Sequence, residues 1–122
     1  MRTGGGPERK RRLERKGRRA ELLAALALML KGYRIAAMRY RTPSGEIDLV
    51  ARKGDLVAFV EVKARRDLAA GVDSVGYPAQ RRIAAAAELF ISRQPDGSTL
   101  SWRHDIVVVR PWRWPLHLPD AF

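Results

Sequence analysis

Cysteine is missing from this chain, and histidine is almost missing, with His104 and His117 as the two copies. Without cysteine there is no disulfide framework, no thiolate metal site and no thiol nucleophile, which agrees with a reducing cytosol. Two histidines are too few for the ligand cluster of a typical zinc site. Zinc and cysteine-dependent chemistry are therefore disfavoured, and we expect a cytoplasmic location.

Long apolar runs are also missing. The apolar stretch Leu22–Leu30 is far shorter than the roughly 20 residues that span a bilayer. It follows a positive segment, as the core of a secretory signal does, but Glu21 precedes it, Lys31 ends it and no small-residue cleavage site follows at once. We therefore interpret it as a helix of the fold and expect no membrane partner.

Acidic residues are scarce, with 13 Asp and Glu against 24 Lys and Arg, for a net charge of +11. Residues 1–19 alone carry nine Lys or Arg and two Glu, a net charge of +7, and residues 20–122 carry +4. Basic clusters attract polyanions and release counterions on binding. A polyanionic partner is the natural inference, although an acidic membrane surface would also fit this charge.

The length of 122 residues allows one domain with a modest core. Residues 1–16 have too little apolar surface to offset the chain entropy of folding, so we expect a flexible basic arm before a domain at 17–122. Within the domain, the patterns predict helices over 19–31 and about 78–93, with a loop over 67–77. They predict strands over 33–41, 46–53, 56–65, 105–110 and 116–118, and a turn at 42–45.

The spacing of apolar residues supports both helices. In the first helix Leu22, Leu26, Met29 and Leu30 recur at helical spacing, and in the second a buried stripe is expected at Ile83, Ala87, Phe90 and Ile91. The run Leu56–Val60 is apolar throughout, which suits a central strand covered on both faces. The order of helix, three strands, helix and strand predicts an α/β fold with a mixed sheet flanked by helices.

A two-residue Gly54-Asp55 turn is expected to fold residues 46–65 into a hairpin. Counting from a Lys53–Leu56 pair, Asp48 lies opposite Glu61 and Glu46 lies opposite Lys63, so the four polar groups share one face. The other face collects apolar side chains, namely Ile47, Leu49, Ala51, Ala58, Val60 and Val62.

This polar patch is typical of a site for a hard cation. Mg²⁺ prefers oxygen ligands and takes one or two protein carboxylates, so Asp48 and Glu61, helped by the Val62 carbonyl, form a sufficient set for Mg²⁺ or Mn²⁺. Lys63 would place its ammonium on the attacking water or the phosphate. A structural ion pair between Lys63 and Glu46 is the competing interpretation, but it leaves two carboxylates opposed without a cation.

The segments Gly45–Val50 and Phe59–Arg65 resemble the PD-(D/E)XK nuclease signature, and specifically the bacterial YraN family. The resemblance covers about residues 17–122 and includes Gly32–Ile35, Gln80–Ile83 and Asp105–Val107. It implies a restriction-endonuclease-like core, shared with archaeal Holliday-junction resolvases. It also implies that Glu21 and Gln80 are accessory residues at the metal site, and Glu46, on the same face as Asp48, is expected there as a further accessory residue. Ala20, Ala79 and His104 replace the Gly, Lys and Phe of many members.

Further side chains are candidates for nucleic-acid contact. Arg65, Arg66, Arg81 and Arg82 are predicted to line a phosphate groove beside the site. The tryptophans Trp102, Trp112 and Trp114 either stack on exposed bases or pack on the core or on a partner subunit, and packing is favoured. Asp105 is expected to open a strand, as a polar cap or turn residue.

The sequence therefore predicts a metal-dependent endonuclease that hydrolyses DNA, with Asp48, Glu61 and Lys63 as catalytic residues. No module for reading bases is visible, so recognition should rest on the backbone, shape or branching of DNA, including junctions. Cutting a symmetric four-way junction would require a homodimer. Two alternatives stay open. One is a non-catalytic nucleic-acid-binding protein that retains the nuclease fold, and the other is a protein whose basic arm contacts RNA or the ribosome.

Overall fold

A computed structural model describes residues 6–67 and 75–122 of the chain. The first helix, α1, spans Gly6–Leu30, and three strands follow as β1 (Arg34–Arg41), β2 (Glu46–Lys53) and β3 (Leu56–Ala64). The second helix, α2, spans Tyr77–Ser92 and precedes a short 3-10 helix at Gly97–Thr99. Strands β4 (Ser101–Val109) and β5 (Leu116–Leu118) complete the described fold.

The five strands form one sheet in the order β1-β2-β3-β4-β5. Neighbours are antiparallel except for β3 and β4, which run parallel and are joined through α2. Thr42 and Gly45 close the turn between β1 and β2 through mutual backbone hydrogen bonds of 2.8 and 3.3 Å. Gly54, with a positive φ of 62°, lies in the predicted two-residue turn between β2 and β3. The predicted α/β fold with a mixed sheet and flanking helices is confirmed.

Each face of the sheet is covered by one helix. Helix α2 packs on a core that includes Val50, Val57 and Phe59, and its buried residues include the four predicted ones, Ile83, Ala87, Phe90 and Ile91. Helix α1 packs on the opposite cluster, which includes Leu49, Ala51, Ala58 and Val60. The residues from Val57 to Val60 are fully buried, as the prediction of a central strand requires. Ile47, however, joins the α2 core and not the face of Leu49.

Helix α1 turns its small side chains toward the sheet. Ala24, Ala25 and Leu28 are buried there. The four apolar residues that recur at helical spacing are exposed instead, namely Leu22, Leu26, Met29 and Leu30. The helix was therefore predicted correctly, but these four residues do not form its buried face. The alanine face allows close approach to the sheet, and it also holds Glu21 against Arg39 of β1.

Some boundaries differ from the prediction. Helix α1 begins at Gly6, before the expected domain start at Gly17, because Pro7 and the Arg- and Lys-rich segment that follows are compatible with a helix start and interior. The mobility of residues 1–16 stays a prediction, and residues 1–5 lie outside the described part, as do residues 68–74 of the predicted loop. Within the described ranges, neither long helix has the apolar composition needed to cross a bilayer.

Strand β4 begins at Ser101, so Asp105 lies in the middle of this strand and is fully buried. The prediction that Asp105 opens a strand as a cap or turn residue is wrong. Its carboxylate accepts hydrogen bonds from Arg103 (2.7 and 2.8 Å), His117 (2.7 Å) and the backbone N–H of Asp120 (2.9 Å). These contacts attach β5 and the residues after it to β4.

Gly45 provides a test of how the turn before β2 packs on α2. A Cβ atom at this position would lie 2.9 Å from the backbone oxygen of Arg82 and 3.0 Å from its Cβ. We expect Gly45→Ala to lower the free energy of unfolding by about 1–3 kcal/mol, because the helix backbone must shift to make room. Urea denaturation followed by circular dichroism measures this change.

Gly17→Ala is the matched control. Gly17 lies in α1, and a Cβ atom there would meet no heavy atom within 4 Å. Alanine in a helix interior is favoured over glycine by about 0.5–1 kcal/mol, so this variant should be at least as stable as the parent. Equal stability of Gly45→Ala and the parent would contradict the close packing of the turn on α2.

Candidate active site

The site lies where β2 and β3 separate. Their pairing follows the predicted register from Lys53–Leu56 to Leu49–Val60, which is the last pair. Beyond it, β2 continues alongside β1 to Glu46, and β3 continues alongside β4 to Ala64. The expected direct pairs of Asp48 with Glu61 and of Glu46 with Lys63 are therefore replaced by an open notch, which we call the β2–β3 notch, between residues 46–48 and 61–64.

Asp48 of β2 forms a hydrogen bond to β3 at the start of this notch. Its Oδ2 atom accepts a hydrogen bond of 2.8 Å from the backbone N–H of Val62. Burial raises the pKa of Asp48 above its ordinary value, while the Val62 N–H and the charge of Lys63 act to lower this pKa. The negative charge of Glu21 raises it further. The half-buried Asp48 carboxyl thus interacts electrostatically with Glu21 of α1 and with Lys63 of β3.

Glu61 has the most perturbed carboxyl group of the site. The residue is 8% exposed, and its Oε1 atom is buried without a hydrogen-bond partner among the described residues. Burial raises the pKa of Glu61 from its ordinary 4.5 to about 8, and the nearby charge of Asp48 acts in the same direction. The half-buried Lys63 lowers the pKa of both carboxyls, but its single positive charge leaves both values raised.

Two of the predicted accessory residues, Glu21 and Glu46, form ion pairs with arginines of β1. Glu21 is buried on α1 and forms an ion pair of 2.9 Å with Arg39, and its charge acts on Asp48. Glu46 is exposed and pairs with Arg41 at 3.1 Å. The competing ion pair between Glu46 and Lys63 does not occur among the ion pairs of the described residues, although the charge of Glu46 also acts on Asp48.

Gln80 lies in the first turns of α2, where its side chain donates a 3.0 Å hydrogen bond to the Val75 carbonyl. This bond ties the start of the helix to the preceding segment. Among the described residues no hydrogen bond connects the Gln80 side chain with Asp48 or Glu61, so its place at the site stays a prediction.

The four predicted phosphate-binding arginines form two separate pairs. Arg65 and Arg66 follow β3 directly and border a cavity beside α1. Arg81 and Arg82 lie exposed on α2, where they border a shallow depression together with Ser44 of the β1–β2 turn. The structure therefore does not join them into one groove.

Arg39 was missed by the sequence analysis. It has a positive φ of 52°, which is uncommon for a residue other than glycine, and it donates to Glu21 beside the notch. Counting back from the Arg41–Glu46 pair places Arg39 opposite Asp48. The turn predicted at residues 42–45 implies this pairing, because counting outward from the turn along both strands also places Arg39 opposite Asp48.

The donor set is compatible with a hard cation but small. Among residues 6–67 and 75–122, no three His, Asp or Glu side chains are grouped so that they could hold a metal ion. Asp48 and Glu61 offer two carboxylates, and Mg²⁺ takes one or two of these with water filling the other positions. The unpartnered Glu61 Oε1 atom and the two raised pKa values fit a cation in the notch.

The raised pKa of Glu61 predicts how stability depends on pH. The folded protein binds a proton on Glu61 more tightly than the unfolded chain does, and this difference adds to the free energy of unfolding. The added stability is fully present below pH 4.5 and is lost as the pH rises through about 8. In EDTA, Glu61→Gln should remove this part of the pH dependence and be more stable than the parent at pH 8.5.

Urea unfolding at pH 5, 7 and 8.5 checks this expectation. Glu88→Gln, which neutralises an exposed carboxyl on α2, is the control and should follow the parent curve. Parallel curves for the parent and Glu61→Gln would contradict a buried Glu61 that is protonated in the metal-free protein.

Comparison with known proteins gives a consistent result. A family model described as "Uncharacterised protein family UPF0102" matches residues 20–109. A UPF0102 protein of Rhizobium meliloti is 63% identical over 114 residues, covering 93% of each chain. A UPF0102 protein of Mesorhizobium japonicum is 60% identical over 108 residues, covering 88% of this chain and 86% of the relative.

The matched range contains the whole β2–β3 notch and Glu21 of α1, so the relatives and this chain share the region that carries the candidate site. The resemblance to the YraN family, which is the UPF0102 family, is confirmed by these matches. The chain belongs to the UPF0102 family.

Proposed function

We propose that this protein is a divalent-metal-dependent endonuclease that hydrolyses DNA phosphodiester bonds. The observation that carries the proposal is the β2–β3 notch. There the charge of Lys63 acts on two carboxyls, the half-buried one of Asp48 and the buried one of Glu61. Strongly perturbed titratable groups gathered at one place are more typical of functional sites than of structural ones. The net charge of +11 supports a polyanionic substrate.

A cation explains the carboxyls better than an ion pair does. Lys63 provides one positive charge to two carboxyls, and the Glu61 Oε1 atom keeps no hydrogen-bond partner in the described part of the chain. A buried acceptor without a partner is costly. Asp48 and Glu61 would hold Mg²⁺ or Mn²⁺ in the notch, and both carboxyls would then be ionised at neutral pH. In such a site these cations supply charge neutralisation at the phosphate and activation of the attacking water.

The other residues of the notch would position the reactants. The Val62 N–H holds the Asp48 carboxylate in place through its 2.8 Å hydrogen bond. Lys63 projects from the same strand as Glu61, and its ammonium would orient the attacking water or bind a phosphate oxygen. The Arg39–Glu21 ion pair would fix the helix side of the notch. Arg65 and Arg66, directly after β3, would bind the substrate backbone.

A non-catalytic nucleic-acid-binding protein is the second candidate. It is favoured by the small number of grouped ligands, since no set of three is present among the described residues. In that case the pKa values of the notch carboxyls would stay raised, and the basic surface alone would account for affinity. Metal binding and cleavage therefore need separate measurements.

The cleavage test uses the full chain with Mg²⁺ or Mn²⁺ and labelled single-stranded, duplex, flap and four-way-junction DNA. We expect cleavage of at least one substrate, and we expect Lys63→Met to slow it by about 100- to 1000-fold because a preorganised charge is lost from the site. Asp48→Asn and Glu61→Gln should abolish it. Asp55→Asn, in the exposed turn at the other end of the hairpin, should cleave like the parent. Equal products from the parent and Asp48→Asn would contradict the proposal.

Metal binding is tested by thermal unfolding without DNA. A ligand that binds only the folded state stabilises it by about 2.7 kcal/mol at 100 times its Kd. We expect Mg²⁺ or Mn²⁺ to raise Tm by several degrees in the parent and in Asp55→Asn, and to have no such effect in Asp48→Asn. If Tm rises without cleavage of any substrate, the notch binds metal and the non-catalytic candidate is preferred. If Tm rises equally in Asp48→Asn, the cation binds elsewhere.

A further inference from the structure

A second concave region lies beside the notch. A cavity of about 650 Å³ opens between α1, the end of β3 and the segment that joins β4 to β5. Five arginines line it, and no acidic residue is among its described lining residues. We call it the arginine–tryptophan groove, after Arg19, Arg65, Arg66, Arg110, Arg113, Trp112 and Trp114.

The ion pairs shown by the structure do not neutralise the positive charge of this groove. None of the six ion pairs between described side chains includes one of the five arginines. In addition, the Nε atom of Arg110 is buried and has no hydrogen-bond partner in those ranges. Arg39, Arg41, Arg52 and Arg103, in contrast, each have a carboxylate partner. The cationic lining of the groove therefore contains no acid that could act as its anionic partner.

Two indole rings face solvent at the same place. Trp112 is fully exposed and Trp114 is 58% exposed, so neither packs on the core as expected, and packing on a partner subunit stays a prediction. Trp112 also has a positive φ of 59°, a conformation that is costly for a bulky residue and is found more often at functional sites than elsewhere. Pro111 and Pro115 flank the segment and restrict its backbone. The chain thus presents two large apolar rings at a fixed position in a cationic groove.

We propose that the arginine–tryptophan groove binds an unpaired strand of DNA, with phosphates on the arginines and bases stacked on Trp112 and Trp114. Positive grooves that carry aromatic rings are the general solution for binding single strands, because every base has a stacking face. A duplex hides these faces, so it would use the arginines but not the indoles. Cationic residues with no acid among the lining favour a polyanion over a protein surface of mixed charge.

Two elements of the fold carry residues of both the groove and the site around the notch. Ala64 and Arg65 line the groove and follow Lys63 on β3, so Arg65 is about 13 Å along the chain from Glu61 at the rise of an extended strand. On α1, Ala20 lines the groove and precedes Glu21. This inference rests on the proposed nuclease function. If both hold, the substrate would carry an unpaired segment next to the bond that is cut.

The test measures binding in EDTA, where no cleavage occurs, with the full chain and fluorescein-labelled dT20, U20 and a blunt 20-base-pair duplex. We expect Trp112→Ala and Trp114→Ala each to weaken dT20 binding by about tenfold and to change duplex binding by less than twofold, because stacking is lost but the charge is kept. Binding of dT20 should also quench tryptophan fluorescence in the parent, and the double variant should lose this quenching.

Trp102→Ala is the matched control, because Trp102 is exposed near the start of β4, beside Val57 of β3 and away from the groove. It should bind dT20 like the parent. Unchanged dT20 affinity in the double tryptophan variant, or equal losses on dT20 and duplex, would overturn the inference. A tenfold preference for U20 would overturn its assignment to DNA.

The outcomes also separate this inference from the proposed function. If the tryptophan variants lose dT20 binding and no substrate is ever cleaved, the groove is supported and the nuclease proposal fails. If Asp48-dependent cleavage occurs but dT20 binding does not depend on Trp112 or Trp114, the nuclease proposal is supported and the groove inference fails. Circular dichroism of each variant excludes unfolding as the cause of a loss.

Discussion

The hydrogen bond from the Val62 N–H to Asp48 Oδ2 is the contact on which the candidate site depends. At this point the β2–β3 ladder ends, and a side-chain carboxylate takes the backbone donor that a further strand pair would have used. The exchange opens the sheet without leaving the Val62 N–H unpaired. Because β2 stays paired with β1 and β3 with β4, both edges of the notch remain rigid. The Asp48 and Glu61 carboxyls are thus held by strands and not by loops, as a preorganised site requires.

Two buried carboxylates of this protein show why Glu61 is a candidate for function and Asp105 is not. Burial acts to raise the pKa of both. Around Asp105, hydrogen bonds from His117, Arg103 and the Asp120 N–H outweigh burial and lower the pKa to about 2, so its charge is stabilised by the fold. Around Glu61 no such set of donors is present among the described residues, and the pKa rises to about 8. The fold therefore satisfies both oxygens of one buried acid and leaves the Oε1 atom of the other without a partner among the described residues.

The parts of this structure that follow from short-range rules could be predicted from the sequence. The Gly54-Asp55 turn set the register of β2 and β3, and it brought Asp48 and Glu61 to the same end of the hairpin. The end of the ladder at Leu49–Val60 could not be predicted, because it depends on β1 and β4 holding the two strands apart. The same holds for α1, where the four apolar residues at helical spacing are exposed, whereas Leu28 and the alanines beside it are buried. Its orientation depends on the sheet beneath and on the Glu21–Arg39 pair, and a helical period alone cannot distinguish these faces. Asp105 also acquired its role from partners distant in sequence, chiefly His117.

The topology explains why the basic surface and the carboxyls occur at the same end of the sheet. Strand β2 begins where the antiparallel β3 ends, and β4 runs parallel to β3, so Glu46, Ala64 and Val109 all lie at this end. The arginines that follow β3 and β4 lie there as well, and the β1–β2 turn brings Ser44 next to Arg81 and Arg82 of α2. A polyanion bound at this end, as proposed, would come near both groups of arginines and the two carboxyls. Two ionised carboxylates would repel its phosphates, whereas protonated carboxyls could not hold a cation. The divalent cation proposed between Asp48 and Glu61 would remove both difficulties, because it would favour ionised carboxyls and offset their charge toward the phosphate.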